Sequence, residues 1–149
     1  MVIGIFGESC TGKSTLAERL KGMLNAEVYV GKDYLRFAKN ENIAKKLFQK
    51  ELEAAVSGKH MIYVISEPEH LTLLPEGALR VLVTADLELI KARFASRMKG
   101  NLPAAVAAML ERKHGSFDGE AHHLHVASGE TDLDALCHQI VQWEETHGQ

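Results

Sequence analysis

The chain has few cysteines, no long apolar run and, toward its end, no positive charge. Its two cysteines, Cys10 and Cys137, form no CxxC pair and no spaced framework. That excludes a disulfide-stapled secreted fold and leads us to expect a reducing compartment, the cytoplasm. No stretch approaches the roughly 20 apolar residues of a membrane span, and the first residues read as a strand rather than a signal peptide. Internal repeats and low-complexity linkers are missing too, so residues 1–149 are expected to form one domain. From Ser116 to Gln149 there is no Lys or Arg, while Asp118, Glu120, Glu130, Asp132, Asp134, Glu144 and Glu145 are acidic. With a formal net charge of −3, no general attraction to nucleic acid or to an anionic membrane is expected. The acidic end reads as a solvated helix, with the basic residues kept to the first three quarters. Oligomeric state is left open.

What is present begins at Gly7. The run Gly7-Glu8-Ser9-Cys10-Thr11-Gly12-Lys13-Ser14, followed by Thr15, fits G-x-x-x-x-G-K-[ST]. The glycines permit backbone conformations that a Cβ would hinder, so successive N–H groups point inward at a polyphosphate. Lys13 is suited to reach the β- and γ-phosphates, Ser14 to coordinate Mg²⁺, and the following helix turns its positive end to the anion. Val2–Phe6 is an apolar run just before the loop, and Leu16, Leu20, Met23 and Leu24 follow it at helical spacing. Strand, loop and helix are the context that the motif requires.

The remaining pattern alternates strand and helix. Strands are expected at Glu27–Val30, Met61–Ile65, 80–84 and 123–127, and helices at 14–24, 41–56, 86–98, 103–114 and 131–145. Residues 71–77, with Pro75, read as a loop. Thr131 and Asp134 have capping-box spacing. Apolar strands separated by helices imply a parallel sheet covered on both faces, with ligands at the strands' carboxyl ends. No NKxD sequence follows the loop, which argues against a guanine-specific GTPase, and no LSGGQ-type signature is present.

GESCTGKST at Gly7–Thr15, GKDYLR at Gly31–Arg36, VTADLELIKARFASRM at Val83–Met98 and HVASGETDLDAL at His125–Leu136 together resemble the small P-loop kinases. This group includes nucleoside monophosphate, shikimate and gluconate kinases, and the chain looks most like the cytidylate-kinase-like members. The resemblance implies an α/β, three-layer P-loop NTPase fold with a five-stranded parallel sheet and helices on both faces. It also implies an acceptor-binding region at 31–59 and a lid at 97–118. The expected activity is transfer of the γ-phosphoryl of ATP, with Mg²⁺, to a small acceptor, foremost a nucleotide or nucleoside. A shikimate- or gluconate-type metabolite kinase is the first alternative, although Lys32-Asp33-Tyr34 lacks the Asp-x-Asp of the shikimate version. A nucleotide-binding regulator or weak NTPase is the second.

The same resemblance gives roles to residues that also have plainer readings. Asp33 would position or deprotonate the acceptor hydroxyl, or hold Mg²⁺ through water; it is equally a helix N-cap. Arg36 shares its face and would grip an acceptor phosphate or carboxylate, or is a solvated arginine. Glu67, with Glu69 as alternative, would join Ser14 at the metal, though the usual residue there is Asp. Arg93 and Arg97, at i and i+4, would join Lys13 in stabilising the transferred phosphoryl group. Lys99, Arg112 and Lys113 flank the lid, and Gly100-Asn101 offers a hinge. Ser128-Gly129 would lie beside the adenine. Cys10 is either a reactive thiol or a small loop residue. For His70 and for His122, His123 and His125, the surface is the expected place, with His123 and His125 on one strand face and His122 on the other.

Overall fold

Val2–Phe6 and Met61–Ile65 are buried at every position, so neither run has a polar face to offer solvent. Such runs belong inside a parallel sheet covered on both sides. The computed structural model, which describes residues 1–147, builds that sheet from β1 (Val2–Phe6), β2 (Glu27–Val30), β3 (Met61–Ile65), β4 (Leu79–Thr84) and β5 (Leu124–Ala127). The strand order is β2-β3-β1-β4-β5 and every pairing is parallel. Five helices connect it: α1 (Lys13–Leu24), α2 (Glu41–Ala55), α3 (Leu87–Arg97), α4 (Ala104–Lys113) and α5 (Leu133–His147).

Alternation along the strands sorts the core into two layers. Ile3, Ile5, Ile62, Val64, Val81 and Val126 face α1 and α5, meeting Leu16, Leu20, Leu136 and Ile140. Val2, Phe6, Met61, Tyr63, Ile65 and Leu82 face the other way, onto Ala44, Phe48 and Leu52 of α2. A third cluster joins α3 and α4 through Ile90 and Leu110, with Phe94 and Val106 packed against it. The expected three-layer α/β fold is therefore the observed one. No helix among the described residues is long and apolar enough to cross a membrane.

Several boundaries differ from the sequence reading, each for a local reason. A short 3₁₀ helix, Pro68–Leu73, takes in the first three residues of the expected 71–77 loop, because Leu71, Leu73 and Leu74 are drawn into the α2-side core. The capping box expected at Thr131 and Asp134 does not form. Asp132 Oδ1 accepts from the Ala135 N–H at 3.2 Å, while Thr131 Oγ1 accepts from Ala127 N at 2.9 Å and Asp134 pairs with Arg19. At the start of β5 the His123 ring stands in for a ladder bond, its Nδ1 accepting from Arg80 N at 2.9 Å. His122 then lies before the strand, and its ring approaches His125 at 6.1 Å instead of facing oppositely.

The sheet fixes the start of the phosphate loop by close approach. A Cβ on Gly7 would stand 2.1 Å from the Val83 carbonyl oxygen, a backbone atom of β4 that cannot swing aside. We predict that Gly7→Ala lowers unfolding free energy by about 3 kcal/mol, at the upper end for overpacking. In a chain of this size that is a fall in Tm of roughly 6–12 °C, read by thermal denaturation.

Candidate active site

Between β1 and α1 the loop turns on two left-handed residues, Cys10 at φ 64° and Gly12 at φ 103°. Thr11 Oγ1 donates to Glu8 O at 2.8 Å and closes the turn. α1 begins without a side-chain cap and without an acid in its first turn. Its first N–H groups are thus unclaimed by side chains and suited to an anion. Ser14 and Thr15 are exposed at that end. Lys13 is only 5% exposed and folds back, its Nζ donating to Gly7 O at 2.8 Å and Glu8 O at 2.5 Å. Burial lowers its pKa to about 8, with Arg97 adding to the depression while Cys10 and Glu8 oppose it. Cys10 is itself buried against Ile90 and Leu110, so the reading as a packed loop residue replaces that of an accessible thiol.

Both arginines of α3 reach this loop. Arg93 donates to Cys10 O and to Ser128 Oγ, each at 2.9 Å, and so ties the loop to the turn after β5. Arg97, one turn on, lines with Arg93, Thr15, Ser128 and Gly129 a cavity of about 500 Å³. α4 folds back on α3 through their shared apolar cluster and a Lys91–Glu111 ion pair at 2.6 Å. Lys99 and Gly100 between them have positive φ, 61° and 85°, one residue ahead of the Gly100-Asn101 pair expected as a hinge. Lys99 and Arg112 are exposed.

On the other side of the loop lies a smaller cavity of about 90 Å³. Glu8, Ser9, Ser66, Glu67, Lys113 and Ser116 supply its polar lining, beneath Met109 and Leu110 of α4. Glu67, directly past β3, pairs with Lys113 at 3.5 Å. Glu69 is exposed and lines no part of this cavity, so Glu67 is the acid that shares a space with the loop. Sequence reasoning passed over the contacts of Glu8. Its Oε2 accepts from Gly115 N at 3.1 Å and its Oε1 meets His114 Nδ1 at 3.0 Å, so the loop grips the end of α4. A carboxylate inside a phosphate loop was the available signal, since repulsion there needs a compensating contact.

Asp33 and Arg36 share a face as expected, yet they hold each other. Asp33 Oδ2 accepts from Val30 N at 2.8 Å, so the side chain reaches back to β2 rather than forward as an N-cap. Arg36 approaches that carboxylate at 3.5 Å and lies 4.8 Å over the Tyr29 ring. Neither lines a cavity beside the loop. His70 is another correction: it is 4% exposed, packed at 5.8 Å from the Tyr34 ring and 6.4 Å from that of Tyr63. The 3₁₀ helix that buries its neighbouring leucines carries it inward, where its Nδ1 has no hydrogen-bond partner.

No protein-family model matches the sequence. A shikimate kinase from Pelotomaculum thermopropionicum is 26% identical over 99% of this chain and 95% of its own length. Among solved structures, a shikimate kinase from Acinetobacter baumannii in complex with shikimate superposes with TM-score 0.63 at 17% identity, covering 97% of this chain and 93% of that one. A gluconokinase from Sinorhizobium meliloti gives 0.60 at 15% identity, covering 97% and 94%. The structural likenesses establish the fold. With the curated relative they support a P-loop kinase of the shikimate kinase-like group, and they do not show the closeness to cytidylate kinases that the motifs suggested.

Two outcomes follow from the loop's geometry. The folded pKa of Lys13, about 8, lies below the ordinary 10.5, so the unfolded chain holds that proton more tightly. The penalty on the fold is complete below pH 8 and fades between about pH 8 and 10.5. Lys13→Met is expected to gain about 1–3 kcal/mol of stability at neutral pH, a gain that shrinks in melts at higher pH, and to lose nucleotide binding. Arg93→Met is expected to weaken nucleotide binding about tenfold by freeing Cys10 O and Ser128 Oγ, measured by titration calorimetry with the circular dichroism spectrum unchanged.

Proposed function

We propose that this chain, a P-loop kinase of the shikimate kinase-like group, transfers the γ-phosphoryl of ATP to a hydroxyl of a small metabolite. The observation that carries the reading is the pair of cavities on opposite sides of one phosphate loop. The larger, between Arg93, Arg97 and the Ser128 turn, has room for a nucleotide. The smaller, under Met109 and Leu110, suits a small acceptor screened from water. The curated shikimate kinase relative favours a metabolite over a nucleotide acceptor.

In this reading the bond from Pγ to the bridging oxygen breaks, and the acceptor oxygen forms the new bond to Pγ. Lys13 and Arg97 stabilise the charge on the moving group, and Arg93 holds the loop in place for it. The exposed Ser14 hydroxyl is a hard oxygen donor that fits Mg²⁺ and would hold it, while Glu67 is paired with Lys113 instead; when bound, the ion neutralises phosphate charge. The acceptor's proton moves onto the oxygens of the transferred group, because Asp33, expected to take it, lines neither cavity.

The test is ADP formation from ATP and Mg²⁺ across sugars, polyols, hydroxy acids, nucleosides and nucleotides. Stimulation by a metabolite, abolished in Lys13→Ala, is the expected result. Hydrolysis indifferent to every acceptor would replace this reading with that of a weak NTPase or regulator.

A further inference from the structure

We infer that the acceptor is a polyhydroxyl compound without a carboxylate or phosphate group. This rests on the kinase reading above and concerns the charge of the cavity between the loop and the end of β3. Two of its wall residues, Glu8 and Glu67, are carboxylates, and Ser9, Ser66 and Ser116 offer hydroxyls. Among the described residues lining it, Lys113 is the single cation, and it is already paired with Glu67 at 3.5 Å.

Two cations elsewhere in the acceptor region are engaged as well. Arg36 is held by Asp33 and stacked over Tyr29. Lys45 sits 5.7 Å over the ring of Tyr34. Lys32 and Arg112 are exposed and line no part of the cavity. Among the described residues no arginine lines this cavity, although a guanidinium fork is the usual means of holding a carboxylate or phosphate.

Glu8 sharpens the point because it cannot turn away. Its side chain is 12% exposed and is pinned by Gly115 N and His114 on one side of the cleft. An anionic acceptor would have to lie beside Glu8 and Glu67 while also receiving a phosphoryl group, and like charges so placed reject a partner. Hydroxyls meet no such conflict. They donate to carboxylates and exchange bonds with serines. Shikimate and gluconate are carboxylates, so this chain would differ from the relatives that carry those names in the charge of what it accepts.

The experiment uses acceptor pairs that differ only at the group bearing the charge: glucitol with gluconate, and methyl shikimate with shikimate. Amino-polyols, neutral aldoses, sugar phosphates and nucleoside monophosphates complete the set. ADP formation is followed for the wild-type chain and for Glu67→Gln. The expected result is that the stimulating acceptors are uncharged or amine-bearing, with kcat/KM at least about tenfold above any anionic counterpart. In Glu67→Gln the anionic-to-neutral ratio is expected to rise, whatever happens to the absolute rate. Stimulation by gluconate, shikimate or a phosphate ester at equal or greater kcat/KM would overturn the inference and leave the kinase reading standing. A ratio unmoved in Glu67→Gln would overturn the role given to that carboxylate's charge, and with it the argument from the wall. ADP formation that no hydroxyl compound stimulates would remove the kinase reading and this inference together.

Discussion

The structure turns on one uncomfortable contact, an ammonium group packed into its own loop. Lys13 is nearly buried and has two backbone carbonyls for company, those of Gly7 and Glu8. Neither carries a full charge, so the cation is desolvated without being neutralised. Everything around it holds that arrangement in place. Gly7 is pressed against β4, Cys10 and Gly12 take left-handed backbone angles, and Arg93 clasps the Cys10 carbonyl from α3. Phosphate would supply the counter-charge that the fold withholds, which makes the unliganded loop a site prepared for an anion at some expense to stability.

The backbone frame was legible because it is written in local patterns. Val2–Phe6 and Met61–Ile65 are apolar throughout, and only a buried strand accommodates that in five residues followed by a turn. The phosphate loop was legible for the same reason, since its chemistry sits in eight consecutive positions. Helix ends were less so. Asp132 competes with Thr131 and Asp134 for the start of α5, and which one caps is settled by where Thr131 finds its own partner, on Ala127.

The side-chain partners of the site were not legible, because they come from far along the chain. Glu8 meets Gly115 and His114 more than one hundred residues away, at separations of 107 and 106. Nothing in either stretch signals the other. His70, after Glu69, looked like an ordinary surface histidine, yet the neighbouring leucines pull its turn into the core. Asp33 and Arg36 were placed on one face correctly, but a shared face does not say whether two opposite charges await a ligand or hold one another. Here they hold one another.

The way α4 is moored sets a limit on how far the cleft can open. Phe117 is buried and its ring lies 5.7 Å from that of Phe6, at the end of β1. α4 ends at Lys113, four residues earlier, and a fully extended chain covers about 14 Å over that distance. The roof over the small cavity is therefore on a short leash, anchored in the core at one end and to α3 through residues 98–103 at the other. Such a roof can admit and release a metabolite. Its travel is bounded by that tether, so the reach of the chain, independently of any pocket chemistry, limits how wide the opening above the phosphate loop can become.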